Sequence, residues 1–192
     1  ENSLDAGANI VEIDIENAGM SLIRIIDNGF GIHRDDLEKA FLSHATSKIY
    51  TEEDLDNIAT FGFRGEALAS ISAVSDIEIV SRTNEDSSGS YLTLTEGTIK
   101  EKGIKKILNG TRIEVRNLFF NLPARKKFVS NLNFESSKIT ELLSSYALGH
   151  PEIDFILKRD NEIIIDTRGY KGWEKRTTYI YKRKKDSFFI IQ

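Results

Sequence analysis

The sequence predicts an α+β fold, a two-layer α/β sandwich whose mostly antiparallel mixed sheet carries helices on one face. Three observations predict it. Apolar and polar residues alternate strictly from Val11 to Glu16, strand patterns recur in hairpin pairs, and helical patterns interrupt those pairs. A doubly wound parallel sheet would instead place a crossover helix between successive strands.

Residues 1–6 read as the last turns of a helix, with Gly7 just past its end. Residues 10–16 form a half-buried strand, Asn17-Ala18-Gly19 turns the chain, and residues 22–26 return as the second strand of a hairpin. A helix is expected over 34–42, with Leu37, Ala40 and Phe41 on one face. Thr51 and Asp54 have capping-box spacing, so a short helix is expected to start there. An apolar helix follows over 66–74. Strands are expected over 76–81, 90–95, 98–102 and 111–118. Residues 135–148 form an amphipathic helix presenting Ile139, Leu142, Leu143 and Tyr146, and 153–158 with 162–167 close the sheet as a hairpin.

At 192 residues the chain suits one domain, or one domain and the start of another. With no cysteine, a disulfide framework and Cys-ligated metal sites are excluded. The net charge of −4 means that any nucleic-acid contact needs a local basic patch. No apolar run reaches the about 18 residues of a membrane span, and residues 1–6 carry no signal-peptide pattern. The expected location is therefore the cytoplasm, or the nucleus in a eukaryote, and not a secreted or membrane setting.

Five constellations carry candidate chemistry. Asp27-Asn28-Gly29-Phe30-Gly31-Ile32 delivers a carboxylate to the end of a buried strand. Such a carboxylate can accept from an adenine amino group while glycines admit the flat base, although Asp-Asn-Gly is equally good turn chemistry. Gly62-Phe63-Arg64-Gly65-Glu66-Ala67-Leu68 places two glycines ahead of a helix. Free amides there could wrap a triphosphate, or the glycines could serve a plain connection; no Gly-Lys-Ser/Thr follows, so it is not a P-loop. Asn2 and Asp5 stand at i, i+3, and one Asn carbonyl suffices for a magnesium ion that keeps waters and phosphates, but a polar helix end reads the same. His44-Ala45-Thr46-Ser47-Lys48 offers hydroxyls and an ammonium to phosphates, or is a solvated segment. Asn109-Gly110-Thr111 is a turn whose Thr hydroxyl could support the base-binding carboxylate. His33, His44 and His150 lack metal-ligand spacing and read as structural or exposed.

In their joint order, these segments resemble the ATPase superfamily of gyrase, the heat-shock chaperone of ninety kilodaltons, histidine kinases and MutL. The longer stretches Glu1-Asn2-Ser3-Leu4-Asp5-Ala6-Gly7-Ala8, His44 to Lys48, Gly62 to Ser70 and Pro123-Ala124-Arg125-Lys126-Lys127-Phe128 resemble the N-terminal ATPase domain of the MutL mismatch-repair family, over roughly residues 1–168. The resemblance implies a Bergerat-type ATP-binding fold, the cofactors ATP and Mg2+, and a nucleotide-driven dimerisation and signalling switch. It implies that Asp27 binds the adenine amino group, Gly31 lies against the base, Asn2 holds the magnesium, and Thr111 supports the adenine contact. Ala6 and Thr46 lie near the nucleotide. Gly62, Phe63, Arg64 and Gly65 form the lid over the phosphates, followed by Ala67 and Leu68.

The same resemblance implies that a general-base Glu stands three positions before Glu1, so that Glu1 is not the base and no catalytic residue of the motif is present. It further implies a γ-phosphate Lys in a following domain. On this view residues 1–168 are an ATP-binding domain lacking its N-terminal residues, and 169–192 are a linker or atypical tail leading toward a second domain. The resemblance implies as partners a homodimer mate on ATP binding, a mismatch-recognition protein and DNA, to which Arg125, Lys126 and Lys127 could contribute, although a solvated helix face is the favoured reading of those three. A nucleotide-binding or interaction module without hydrolysis, or another ATPase of the superfamily, are the alternative functions.

Overall fold

A computed structural model describes residues 1–42, 66–129 and 131–182. A short helix, α1 (Asn2–Asp5), leads into the hairpin β1 (Ile10–Glu16) and β2 (Leu22–Asp27). Helix α2 (Ala67–Ser72) precedes β3 (Asp76–Arg82), β4 (Gly89–Thr95), β5 (Thr98–Lys105) and β6 (Gly110–Arg116). Then come α3 (Pro123–Phe128), α4 (Leu132–Gly149), β7 (Asp154–Arg159), β8 (Glu162–Asp166) and α5 (Trp173–Tyr181).

The described strands form one sheet in the order β5-β4-β3-β6-β2-β1-β7-β8. All neighbours are antiparallel except β1 and β7, which run parallel. The parallel pair is possible because α4 supplies the crossover that such a connection requires.

Register explains why the sandwich has two layers. Side chains alternate between the faces, and directly opposed residues share a face. Ile13 pairs with Ile25, Ile25 with Ile113, Ile113 with Ile79, and Ile79 with Leu92, so one row of aliphatic side chains crosses five strands. The next row joins Ile15, Ile23, Val115, Ile77 and Leu94 in the same way. Helices cover this face. Leu143 and Ala147 of α4 pack with Val11, Ile15, Phe155 and Leu157, while Leu68 and Ile71 of α2 pack with Ile77, Ile79 and Leu94.

The opposite face carries charge. Arg24 bridges Asp14 at 3.0 Å and Glu114 at 2.9 Å. Glu78 stands directly across from Glu114, a like-charge pairing that would destabilise the sheet if left bare. Arg112 and Lys105 pair with Glu78 at 2.7 and 2.6 Å, and Arg116 pairs with Glu114 at 2.7 Å, which neutralises the clash.

Two expectations are corrected. Residues 34–42 form turns ending in a 3-10 segment, Lys39–Phe41, rather than a helix; Leu37 and Phe41 are nonetheless buried against the sheet. Leu142 is 60% exposed, because α4 turns Ile139, Leu143 and Ala147 inward and Leu142 lies off that stripe. Within the tail, Trp173–Tyr181 is a helix and Arg176 in it is fully buried. Its periodicity is weak in sequence because an arginine, not an aliphatic residue, anchors it. The helix expected near Thr51 lies outside the described residues.

Candidate nucleotide site

The row after the aliphatic ones is polar. Val11 pairs with Asp27, Asp27 with Thr111, Thr111 with Ser81, and Ser81 with Ser90. This row is two residues on from Ile25, Ile113 and Ile79, so its side chains share the helix-covered face. The apolar layer therefore ends in carboxylate and hydroxyls at the rim where α1 meets the sheet.

Asp27 is held from three sides. Its Oδ1 accepts from the Gly29 amide at 3.0 Å and the Thr111 amide at 3.3 Å. Its Oδ2 accepts from the Ser3 hydroxyl at 2.8 Å. A carboxylate offers about four lone-pair directions, so one on Oδ2 is left for a further donor such as an exocyclic amino group.

Local chemistry builds the turn after Asp27. Asn28 Oδ1 accepts from the amides of Asn9 and Ile10, both at 3.0 Å, tying the turn to the start of β1. The Phe30 amide donates to the Ala6 carbonyl at 2.9 Å, so α1 is fastened to the same turn. A Cβ on Gly29 would stand 2.6 Å from that carbonyl. Gly31 has φ +76, and a Cβ there would stand 2.2 Å from the Arg82 carbonyl. Both glycines thus make room for the protein's own backbone. By sequence alone the same glycines read as room for a base.

The structure brings Ala6, Asp27, Gly31 and Thr111 together. Asn2 is exposed on α1, one residue before Ser3, where a single side-chain carbonyl suits a magnesium ion completed by waters and phosphates. Among the described residues no group of three or more His, Cys, Asp and Glu could hold a metal. Glu1 accepts from the Tyr146 hydroxyl of α4 at 2.9 Å, which pins α1 from its far side. Burial, then the hydrogen bond to Glu1, raises the Tyr146 pKa above the ordinary phenol value. Ala67 opens α2, and Leu68 packs into the neighbouring apolar cluster. Thr46, Gly62, Phe63, Arg64 and Gly65 lie outside the described residues.

Sequence reasoning missed Ser3 and Ser81. Ser3 follows Asn2 directly, but its partner is 24 residues away; Ser81 lies in an unremarkable strand and reveals itself only by register with Thr111.

Arg125, Lys126 and Lys127 all lie exposed on α3, and the Arg125 guanidinium sits 5.0 Å from the Phe119 ring centre. Among the described residues no helix is long and apolar enough to cross a membrane.

A mixed sheet covered on one face, with a rim carboxylate beside an Asn-bearing helix, is the frame of a nucleotide-binding ATPase domain. The family described as "Histidine kinase-, DNA gyrase B-, and HSP90-like ATPase" matches residues 1–123, and the chain belongs to it. Within that class its similarity runs to the ATPase domain of the DNA mismatch repair protein MutL. It is 46% identical over 187 residues to MutL of Clostridium acetobutylicum, covering 96% of this chain and 30% of that protein. It is 50% identical over 157 residues to MutL of Aquifex pyrophilus, covering 82% of this chain and 37% of that one. The solved "Aquifex aeolicus MutL ATPase domain complexed with ADP" superposes with a TM-score of 0.78 at 34% identity, over 95% of this chain and 65% of that one. The chain thus spans about a third of the length of these curated relatives.

Proposed function

We propose that this chain is the ATP-binding module of a MutL-like mismatch-repair protein, in which nucleotide drives dimerisation and signalling. The observation that carries it is Asp27: a rim carboxylate fixed by three donors, with one acceptor direction left, on a fold shared with MutL ATPase domains. Asp27 takes the adenine amino group. Asn2 supplies one oxygen to Mg2+, which neutralises phosphate charge when bound. Gly62, Phe63, Arg64 and Gly65 act as the lid over the phosphates, and nucleotide bound beneath them favours the dimer. Glu1 is engaged by the Tyr146 hydroxyl and takes no part in the chemistry. Arg125, Lys126 and Lys127 contact DNA phosphates, so binding through them falls steeply with salt.

Calorimetry with Mg-ATP tests the site. Asp27→Asn should weaken binding about a hundredfold while leaving the fold intact, the scale of losing a hydrogen bond to a charged group. Unchanged affinity would refute the adenine assignment. Single-turnover hydrolysis by this chain separates an ATPase from a module that only binds: phosphate release within one turnover would sink the binding-only reading.

A further inference from the structure

Beyond Asp27, the polar row contains a hydroxyl pair whose polarity is fixed by its surroundings. Ser81 is 1% exposed. Its Oγ lies 2.8 Å from the Ile32 amide nitrogen, 3.0 Å from the Gly110 carbonyl oxygen, and 2.8 Å from Thr111 Oγ1. A hydroxyl has one proton and two acceptor lone pairs. The Ile32 amide can only donate, and the Gly110 carbonyl can only accept. Ser81 therefore gives its proton to Gly110 and accepts from Ile32, which leaves it one lone pair for Thr111. All three contacts are satisfied together only when the Thr111 hydroxyl donates to Ser81. In a buried site an unmade bond leaves the stranded group with its full desolvation penalty, which holds that arrangement.

The consequence falls on Thr111. With its proton committed to Ser81, Thr111 Oγ1 has only lone pairs to offer a further partner. Asp27, beside it in the same row, is also an acceptor. Two adjacent acceptors suit an amino group, which has two N–H donors, and repel a carbonyl oxygen. Adenine presents an amino group at C6 and guanine presents an oxo group. We infer that Ser81 is a positioning residue that locks the Thr111 hydroxyl as an acceptor and so sets the preference for 6-amino over 6-oxo purine nucleotides. This rests on the adenine assignment of Asp27 made above.

The test is the ratio of Mg-ATP to Mg-GTP affinity, measured by calorimetry on the whole chain. Ser81→Ala frees the Thr111 proton to rotate outward and donate to a 6-oxo group. The ratio should fall about tenfold, with part of the change appearing as tighter GTP binding. Thr111→Val removes the acceptor without creating a donor, so its ratio should fall while GTP gains nothing. The double variant should match Thr111→Val, since Ser81 acts through that hydroxyl. Ser81→Cys fills similar space with a weak hydrogen-bonding group and should lie between wild type and Ser81→Ala; it also carries the test if Ser81→Ala does not fold. A merely structural Ser81 would weaken both nucleotides equally, and an unchanged ratio in a folded Ser81 variant overturns the inference. Asp27→Asn, run in parallel, separates the two levels: if it abolishes ATP binding while the Ser81 and Thr111 variants keep the ratio, only the inference fails. If Asp27→Asn changes nothing, the adenine assignment fails with it.

Discussion

Ser3 donates its hydroxyl proton to Asp27 Oδ2 at 2.8 Å, so the helix bearing Asn2 and the strand bearing the rim carboxylate share a hydrogen bond. Ser3→Ala leaves Asp27 with its two amide donors but frees Oδ2 to swing. We expect ATP affinity to drop about fivefold, the scale of one ordinary hydrogen bond, and less than for Asp27→Asn. Calorimetry giving wild-type affinity would remove Ser3 from the site.

Gly31→Ala should destabilise the domain by about 1–3 kcal/mol. The backbone there has φ +76, and the new Cβ would meet the Arg82 carbonyl at 2.2 Å, an atom that cannot swing aside as a side-chain tip could. Thermal unfolding reads this directly. A melting temperature equal to wild type would mean that the turn relaxes freely.

The charged face predicts acid sensitivity. Burial of Glu114 opposes ionisation, but its hydrogen bonds and ion pairs with Arg24 and Arg116 outweigh burial and hold the carboxyl below its ordinary pKa. A carboxyl depressed in the folded state stabilises the fold above the ordinary carboxylate range, and that contribution is lost as pH falls through the folded value. Glu114→Gln should therefore cost about 2 kcal/mol near neutrality. Denaturant titrations between neutral and strongly acid pH should show the gap between variant and wild type closing as pH falls. A gap that stays constant would exclude this linkage.

Arg176 predicts how α5 is fastened. Its guanidinium donates to the carbonyls of Ala147 and Ile153 at 2.9 Å, Tyr170 at 3.0 Å and Pro151 at 3.1 Å. Burial pulls its pKa down from the ordinary value, and the nearby carboxylates of Asp154 and Glu152 pull the other way. Arg176→Met keeps apolar bulk but strips these donors, and should lose about 3 kcal/mol. Hydrogen exchange should quicken first in Trp173–Tyr181. Unaltered protection there would show that the carbonyl cage does not hold the helix.

Much of this was legible in the chain because it depends on local pattern. Alternation from Val11 to Glu16 and the Asn17-Ala18-Gly19 turn place β1 and β2 correctly, and the Asp27 turn stands where its residues suggested. The rest depends on partners distant in sequence. Residues 34–42 have a helical apolar spacing, yet Leu37 and Phe41 reach the core from turns, since tertiary burial overrides a weak local preference. Ser81 is an ordinary strand serine until β3 pairs with β6. Arg176 appears in the sequence as one more charge in a basic tail, and only the carbonyls of a helix end and its following loop reveal it as a buried anchor.

The single row shared by Asp27, Thr111 and Ser81 also constrains how this protein can change over time. Because a strand inverts its faces with every residue, one inserted or deleted position within β2, β3 or β6 would send the corresponding polar group to the far side of the sheet. Strand lengths here can drift only by even steps, or by a bulge that restores parity. The loops between them carry no such parity rule. Changes of length are thus channelled into the connections, while Asp27, Thr111 and Ser81 keep a common face only if their strands shift together.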